Sequence, residues 1–437
     1  MGVAFNMSAT EVLHDSSQRR RRGNYSALLL ALAGLIVIAG ACAEVFVWAE
    51  IIAKEPNAVT WGASIYRLLG TMVIAVALSV AGIAWLPQKE ASFEGIRGGT
   101  RGLWLILAVL ILIHCYLALT FNKHVPGDTI DTFTFQRDAC RSLLQGVDPY
   151  GTTQANIYNP SDTALFYGPG MVANGRVQVG FQYPPLTLLW VLPGYLLGDV
   201  RYSYILAVVI SALFLFALRP NAKGLWIDSV LLFSPLTLFV ESQCWTEPLV
   251  LMALSMAVYV AVKKRWWLPI ALGLFLATKQ YNFLALPFIG CFVSPFHWKA
   301  YWRLTGLSLA VGAATVLPFA FWSIQGLWHD VVLFHLAQPF RQDAMSFAVP
   351  FPFMLKVGPV LLVAFIAWAT RSRPRNAAMF AAGYGVSLLL FVLTSKQAFA
   401  NYYFLIAQAL FLAVAAMPFL FIPHSQRGLS SSNCDPG

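Results

Sequence analysis

Charged residues are scarce in this chain, at 11% of its 437 residues. Hydrophobic residues make up 58% and aromatic residues 14%, and the mean hydropathy is +0.66. A soluble globule of this size cannot bury so many apolar side chains, so the composition excludes a soluble enzyme or binding domain. We therefore predict an integral membrane protein.

Signs of a metal centre or of nucleic-acid binding are missing as well. The six cysteines are scattered without metal-type spacing, no DxD-like motif occurs, and no metal or nucleotide cofactor is indicated. For Cys140 and Cys244, a disulfide outside the membrane is an alternative to free thiols. The formal charge of +10 lies mostly in short loops, where cations beside membrane spans are expected, so it indicates no nucleic-acid partner. The sequence also contains no internal repeats or heptads, which favours one membrane domain.

Long apolar runs supply the predicted spans, since about 20 mostly apolar residues cross roughly 30 Å of hydrocarbon. Ten such runs lie at about residues 25–48, 62–86, 102–121, 202–218, 225–240, 246–262, 303–323, 351–369, 377–394 and 402–422. Shorter pieces at 184–197, 266–278 and 281–293 are interrupted by prolines or by Lys279, which indicates half-helices or re-entrant turns. We expect an all-α polytopic protein with about 10–13 transmembrane or partly inserted helices.

Basic residues set the predicted orientation. Four arginines, Arg19 to Arg22, precede a first apolar run that is too long for a signal peptide, so the N-terminal tail (1–23) is expected in the cytoplasm. A transmembrane domain then covers 24–422, and a cytoplasmic tail covers 423–437. This arrangement makes the protein a multi-pass protein of the plasma (inner) membrane. Residues 122–182 form a large first extracytoplasmic loop.

Four other polar clusters fall on the extracytoplasmic side by the same reasoning: residues 241–247, 279–280, 329–343 and 395–403. The basic segments 263–265, 297–303 and 371–375 are expected inside. Strict alternation would place the cations of 219–223 outside if 184–197 crossed the membrane completely. A re-entrant or partly inserted 184–197 removes this conflict.

Four aspartates lie close together in the external loop: Asp128, Asp131, Asp138 and Asp148. Apolar side chains at helical spacing predict a short surface helix over 131–146. A carboxylate at the mouth of the third span is suited to act as a general base, and Asp131 is favoured over Asp128. Helix N-capping is the structural alternative for both residues. Asp148, directly before Pro149, is most simply a turn residue.

Four segments of the chain resemble the bacterial integral membrane glycosyltransferases of family 87. They are the DTFTF and LLQGVDPY sequences within 131–150, FQYPPLTLLWVLP at 181–193, TKQYNFLALP at 278–287 and SKQAFANYY at 395–403. The similarity extends over about 102–403, so the first two spans look like an N-terminal addition. The chain departs from the family pattern in two places. The spacing from Asp131 to Gly146 is one residue longer than expected, and the ESQCWTEP segment lacks a glycine before its glutamine.

The resemblance implies a GT-C-type fold and an inverting hexosyltransferase. The donor would be a polyprenyl-phosphate sugar, with mannose the commonest sugar, and the acceptor a hydroxyl of a lipid or glycan on the extracytoplasmic face. The chemistry needs a base for the acceptor proton and cations for the departing phosphate. The partners expected are therefore the donor, the acceptor and membrane lipids, with an oligomeric state that the sequence does not specify.

Lys279 is the leading candidate for the phosphate contact because it interrupts nearly 30 apolar residues, where an unpaired charge is costly. Pairing with Glu241 or Glu247 is the alternative. Lys396 and Arg341 are further candidates for the same anion, and solvated or snorkelling positions are their alternatives. Six more side chains are candidate substrate contacts, although the aromatic ones also fit a membrane interface: Tyr183, Gln243, Glu247, Gln280, His335 and Tyr402.

Two other functions share some of these features. A transporter or flippase for lipid-linked sugars would place charges at the bilayer midplane and show inverted repeats, neither of which the sequence displays. A polymerase or ligase for lipid-linked glycans would share the large loop and the basic residues.

Overall fold

Helices account for most of the structure, a computed structural model that describes residues 9–54, 64–86, 100–127, 130–371 and 374–417. The helices in this part of the chain are α1 (Ala9–Lys54), α2 (Ser64–Ala84), α3 (Thr100–His124), α4 (Asp131–Leu144), α5 (Pro160–Phe166), α6 (Pro185–Leu196), α7 (Arg201–Leu218), α8 (Ala222–Phe233), α9 (Pro235–Ser242), α10 (Glu247–Lys263), α11 (Leu268–Thr278), α12 (Trp298–Trp328), α13 (Phe334–Ala337), α14 (Met354–Arg371), α15 (Ala377–Leu393) and α16 (Ala400–Ala415). The prediction of an all-α polytopic membrane protein is confirmed, apart from three strands of two residues each.

Within the described residues, each of the ten predicted spans overlaps with helix, but not all of these helices are long. By length and composition, six helical segments of the described part can cross a membrane, or seven if α8 and α9, which meet at a 47° bend, form one span. The helices α10, α15 and α16 have only 17, 17 and 16 residues. At 1.5 Å per residue they reach about 25 Å, which is less than the thickness of a typical hydrocarbon core.

The interrupted apolar pieces form short helices, as expected. Helix α6 has 12 residues and begins at Pro185, where a missing amide hydrogen does no harm. Helix α11 ends at Thr278, Lys279 is extended (φ −147°, ψ 147°), and a 3-10 helix (Gln280–Phe292) follows. The chain is therefore broken at Lys279, and the lysine lies between two short helices.

The external loop contains the predicted helix α4 and a small sheet that the sequence analysis did not predict. Three antiparallel strands, β1 (Gln154–Ala155), β2 (Val172–Ala173) and β3 (Arg176–Val177), are arranged in the order β1-β3-β2. Strands of two residues carry no periodic pattern, so the sequence gives no signal for them. Val177 of β3 and Val179 just after it pack in one small core with Phe135 of α4 and Phe334 of α13, which holds the loop against α13.

The main core lies around α16, whose side chains are almost all buried. Helix α15 packs along it, and α1 packs against both α2 and α16. The N-terminal hairpin α1–α2 is therefore part of the main bundle. Val45 of α1 lines the cavity described below.

Candidate active site

One cavity of about 500 Å³ joins all the polar segments that the sequence analysis placed outside the membrane. Its lining comes from the external loop, the turn before α10, the break at Lys279, the segment after α12 and the segment before α16. Its acidic and basic lining residues are Asp131, Lys279, His335, Arg341 and Asp343. The expected convergence of these clusters is therefore present in the structure.

Asp131 is the first residue of α4 and lies half-buried in this cavity. The hydroxyl of Tyr167 donates a hydrogen bond of 2.8 Å to Oδ2 of Asp131. The backbone amide of Asp131 donates to the hydroxyl of Tyr158 at 3.1 Å. The N-cap position belongs to Ile130, which makes no side-chain cap bond. Asp131 therefore does not occupy the N-cap position: its carboxylate lies one residue inside the helix, where the Tyr167 hydroxyl and the Thr132 backbone amide bind it.

Desolvation in the cavity raises the pKa of the Asp131 carboxyl above its usual range. The Tyr167 hydroxyl and, more weakly, the Arg341 guanidinium act in the opposite direction, because each stabilises the carboxylate. A carboxylate whose pKa is raised is a stronger base than an ordinary surface aspartate. The environment of Asp131 therefore suits a general base.

Helix α4 is fixed to the turn between α9 and α10 by two hydrogen bonds. Thr132 Oγ1 donates to the carbonyl of Gln243 at 2.6 Å, and Gln136 Nε2 donates to the carbonyl of Cys244 at 2.7 Å. Cys244 has a φ of 53°, in the left-handed region that non-glycine residues rarely adopt. These bonds bring Gln243 beside Asp131. The side chains of Cys140 and Cys244 are buried free thiols, so the disulfide alternative is wrong.

The other aspartates of the loop have structural contacts. Asp138 lies on α4 within 3.0 Å of Arg137 Nε and 3.6 Å of Arg141 Nη1. Oδ1 of Asp148 accepts the backbone amide of Tyr150 at 3.0 Å, which confirms the predicted turn. Asp128, the rival candidate base, lies outside the described residues.

Lys279 is paired with Glu247, one of the two alternatives raised for it. Its ammonium lies 3.3 Å from Oε1 of Glu247, also donates to Thr246 Oγ1, and lies 4.4 Å from the centre of the Tyr183 ring. The side chain is 7% exposed and lines the cavity, whereas Glu247 is fully buried behind it. Glu241 has a different partner, because its Oε1 lies 3.1 Å from Nε2 of His114.

The two other candidate cations differ in position. The Arg341 guanidinium lines the cavity, donates to both carboxylate oxygens of Asp343 at 2.6 and 2.5 Å, and lies over the rings of Phe166 and Phe399. The Lys396 ammonium instead donates to the carbonyls of Leu336 and Gln338 at 2.8 and 2.6 Å. Lys396 does not belong to the cavity lining, so we assign it to the end of α13.

Four of the six candidate substrate contacts line the cavity: Tyr183, Gln243, His335 and Tyr402. Glu247 and Gln280 do not. Gln280 Nε2 donates to the carbonyls of Gln182 and Val331 at 3.0 and 3.1 Å, and His335 Nε2 lies 2.7 Å from the same carbonyl of Gln182. These two side chains therefore hold the segment around Gln182 and Tyr183 in place.

A second, mainly apolar groove of about 430 Å³ runs between α6, α11 and α12. Leu276, Phe283, Ile324 and Trp328 are among its lining residues, and several of them are exposed. Lys279 lines both this groove and the polar cavity. The lysine therefore lies where an apolar groove meets a polar pocket.

Sequence reasoning missed Tyr158, Tyr167 and Asp343, although each lies in the cavity lining. Tyr167 is 36 positions from the aspartate that it binds. The contact depends on the path of the external loop and leaves no local pattern in the sequence. Asp343 could have been found from the sequence, since it lies two residues after the candidate Arg341 in a polar cluster.

No protein-family model matches this chain, and no curated protein matches it. Among solved structures, it is similar to ArnT from Cupriavidus metallidurans, which was crystallised bound to undecaprenyl phosphate. The TM-score is 0.47 and the sequence identity is 16%, over 73% of this chain and 60% of that one. The chain thus spans about three fifths of the length of ArnT. A similarity of this degree assigns no activity by itself.

Proposed function

We propose that this protein is a GT-C-type glycosyltransferase that moves a sugar from a polyprenyl-phosphate donor to a hydroxyl of a lipid or glycan acceptor. The observation that carries the proposal is the position of Lys279 at the junction of the two cavities. A polyprenyl-phosphate sugar has an apolar chain, an anionic phosphate and a polar sugar in that order. The groove, the ammonium and the polar cavity match these three parts in the same order.

Asp131 is the proposed general base. The acceptor hydroxyl oxygen attacks the anomeric carbon, its proton passes to the Asp131 carboxylate, and the bond between that carbon and the phosphate oxygen breaks. The electron pair of the broken bond stays with the polyprenyl phosphate. A single displacement of this kind inverts the configuration at the anomeric carbon. Base catalysis by a positioned carboxylate typically contributes about 10²–10⁴ in rate.

Lys279 and Arg341 are the proposed partners of the leaving phosphate. Both line the cavity, and each is already held by a carboxylate, Glu247 or Asp343. Pairing fixes the two cations in place before the donor arrives, so little reorganisation accompanies the build-up of negative charge on the phosphate. Tyr183, which lies under the Lys279 ammonium, and Tyr402 are proposed to contact the sugar or the acceptor.

The extracytoplasmic position of the cavity, the tail and domain boundaries and the plasma-membrane location remain predictions. The identity of the donor sugar is not assigned, and mannose is the first to test because the family resemblance favours it.

The experiment that tests the proposal uses the purified protein in nanodiscs with a panel of radiolabelled polyprenyl-phosphate sugars and a membrane lipid extract as acceptor. We expect one donor to lose its sugar to a product with inverted anomeric configuration. If no donor is consumed, but labelled lipid-linked sugar crosses the bilayer of proteoliposomes, the protein is a flippase instead.

A further inference from the structure

Four exposed cations lie close to the starts of α11 and α12: Lys264, Arg265, Lys299 and Arg303. None of them forms an ion pair with a carboxylate of the described residues. The sequence supplies few carboxylates for them, because residues 248–329 and 344–434 contain no aspartate or glutamate. By contrast, Arg137, Arg201 and Arg341 each have an aspartate partner. The part of the chain that the structure describes therefore leaves the positive charge beside α11 and α12 without acidic partners.

The four cations share one end of the bundle because α11 and α12 run parallel. A Cβ built on Gly273 of α11 would lie 2.4 Å from the carbonyl oxygen of Ser308 of α12. One built on Gly312 would lie 3.5 Å from Cβ of Ala277. Later residues of α11 thus lie beside later residues of α12, and the first turns of the two helices lie at the same end.

Side-chain contacts hold the segments at this end together. Nη2 of Arg265 donates to the carbonyl of Phe292, in the segment before α12, at 2.7 Å. The Phe296 ring lies 5.1 Å from Trp298, measured between ring centres. The rings of Trp298 and Trp302 are stacked at 6.4 Å, one helical turn apart. We call the four cations and these two tryptophans the basic-aromatic face.

Exposed tryptophans at both ends of α12 indicate the depth of this face in a bilayer. Trp298 and Trp302 are exposed in its first turns, and Trp322 and Trp328 are exposed near its end. Residues 304–328 carry no charge. At 1.5 Å per residue, the helix from Trp302 to Trp322 is about 30 Å long, the thickness of a hydrocarbon core. Tryptophan favours the two interfaces of a membrane, so the basic-aromatic face lies at the level of the lipid headgroups.

We propose that the basic-aromatic face binds the phosphate groups of anionic phospholipids in the leaflet opposite the polar cavity. Helix α11 runs from this face to Lys279, so the face and the candidate active site lie at opposite ends of that helix. The lipid phosphate supplies the negative charge that this end lacks, and the acyl chains lie against exposed apolar side chains such as Ile270 and Leu307. The inference does not depend on the proposed function.

Native mass spectrometry of the purified protein in a neutral detergent tests the proposal. The probes are phosphatidylglycerol and phosphatidylcholine with the same acyl chains, so that only the net charge and the headgroup differ. We expect the wild type to retain more phosphatidylglycerol. High ionic strength should reduce this preference, because the screening length falls to about 3 Å at 1 M salt.

Two double variants locate the binding: Lys299→Gln with Arg303→Gln, and Lys264→Gln with Arg265→Gln. A cation beside an anionic lipid surface typically contributes about fivefold to binding, so each double variant should lower the preference for phosphatidylglycerol by roughly 5- to 25-fold. Lys123→Gln with Lys356→Gln is the matched control, since it removes two exposed cations at the end of α3 and the start of α14. Thermal unfolding identifies any variant that has lost its fold.

The proposal is wrong if the wild type retains both lipids equally, or if both double variants are folded and keep the wild-type preference. A control variant that loses as much preference as the other two would show that total charge, and not this face, decides the binding. If an excess of inorganic phosphate abolishes the preference, the face binds free anions and the lipid assignment is wrong.

Discussion

Tyr167 and Asp131 are joined by a hydrogen bond of 2.8 Å between the phenol hydroxyl and Oδ2 of the carboxylate. Tyr167 is held in a small core with Phe135, Val177 and Phe334, so the hydroxyl has a fixed direction. The interaction both orients the carboxylate and stabilises its charged form.

Replacing Tyr167 with Phe should shift the acid limb of the pH profile for kcat/KM to higher pH. The hydroxyl lowers the pKa of Asp131, so its removal raises that pKa. A base works only when deprotonated, and activity is therefore lost earlier as pH falls. Tyr384→Phe is the control, since that variant also loses a buried hydroxyl bond, 2.7 Å to Asn282 Oδ1, outside the cavity. If the acid limb is unchanged in Tyr167→Phe, the hydroxyl of this tyrosine does not affect the pKa of the catalytic base.

Asp131→Asn should lower turnover by about two to four orders of magnitude, because Asn keeps the size of the side chain but cannot take the acceptor proton. Transfer of radiolabelled sugar measures the loss, and donor binding and thermal unfolding should change little. Asp138→Asn, on the same helix, should retain near wild-type turnover. Asp128→Asn is made as well. If the Asp128 variant is inactive and the Asp131 variant is active, Asp128 is the base instead of Asp131.

Lys279→Met should destabilise the fold as well as weaken donor binding, because it leaves the fully buried Glu247 carboxylate without its cation. Breaking a buried ion pair in this way costs about 3–5 kcal/mol. The double variant Lys279→Met with Glu247→Gln removes both charges and should recover most of the thermal stability. Its affinity for undecaprenyl phosphate should still be roughly 10- to 100-fold below wild type, the loss of one charge-assisted contact. Wild-type affinity in the double variant would make the lysine purely structural.

Single cysteines at Gln145 and Lys264 test the orientation, because both positions are exposed and the sequence places them on opposite sides. In intact cells an impermeant maleimide should label Gln145→Cys, and Lys264→Cys should react only after permeabilisation. The unsubstituted protein gives the background from its natural cysteines. The reverse pattern would place the cavity in the cytoplasm.

Much of the helical architecture could be predicted from the sequence. Ten apolar runs gave ten helical regions, and the charge at Lys279 marked a break between two short helices. The face of α4 was harder to predict. Its buried side includes Thr132, Gln136 and Cys140, whereas the apolar side chain of Leu144 is 53% exposed. Polar residues face inwards there because they bind the turn before α10.

The sequence alone determined where the apolar helices lie and which polar clusters are unusual, because helix hydrogen bonds and apolar runs are local along the chain. Only the tertiary structure decided which side chains meet. Tyr167 reaches Asp131, Glu247 rather than Glu241 pairs with Lys279, and Lys396 binds backbone carbonyls instead of facing the cavity. Each of these contacts depends on how separate segments pack against one another. A buried charge must be paired, and the packing decides which partner lies close enough.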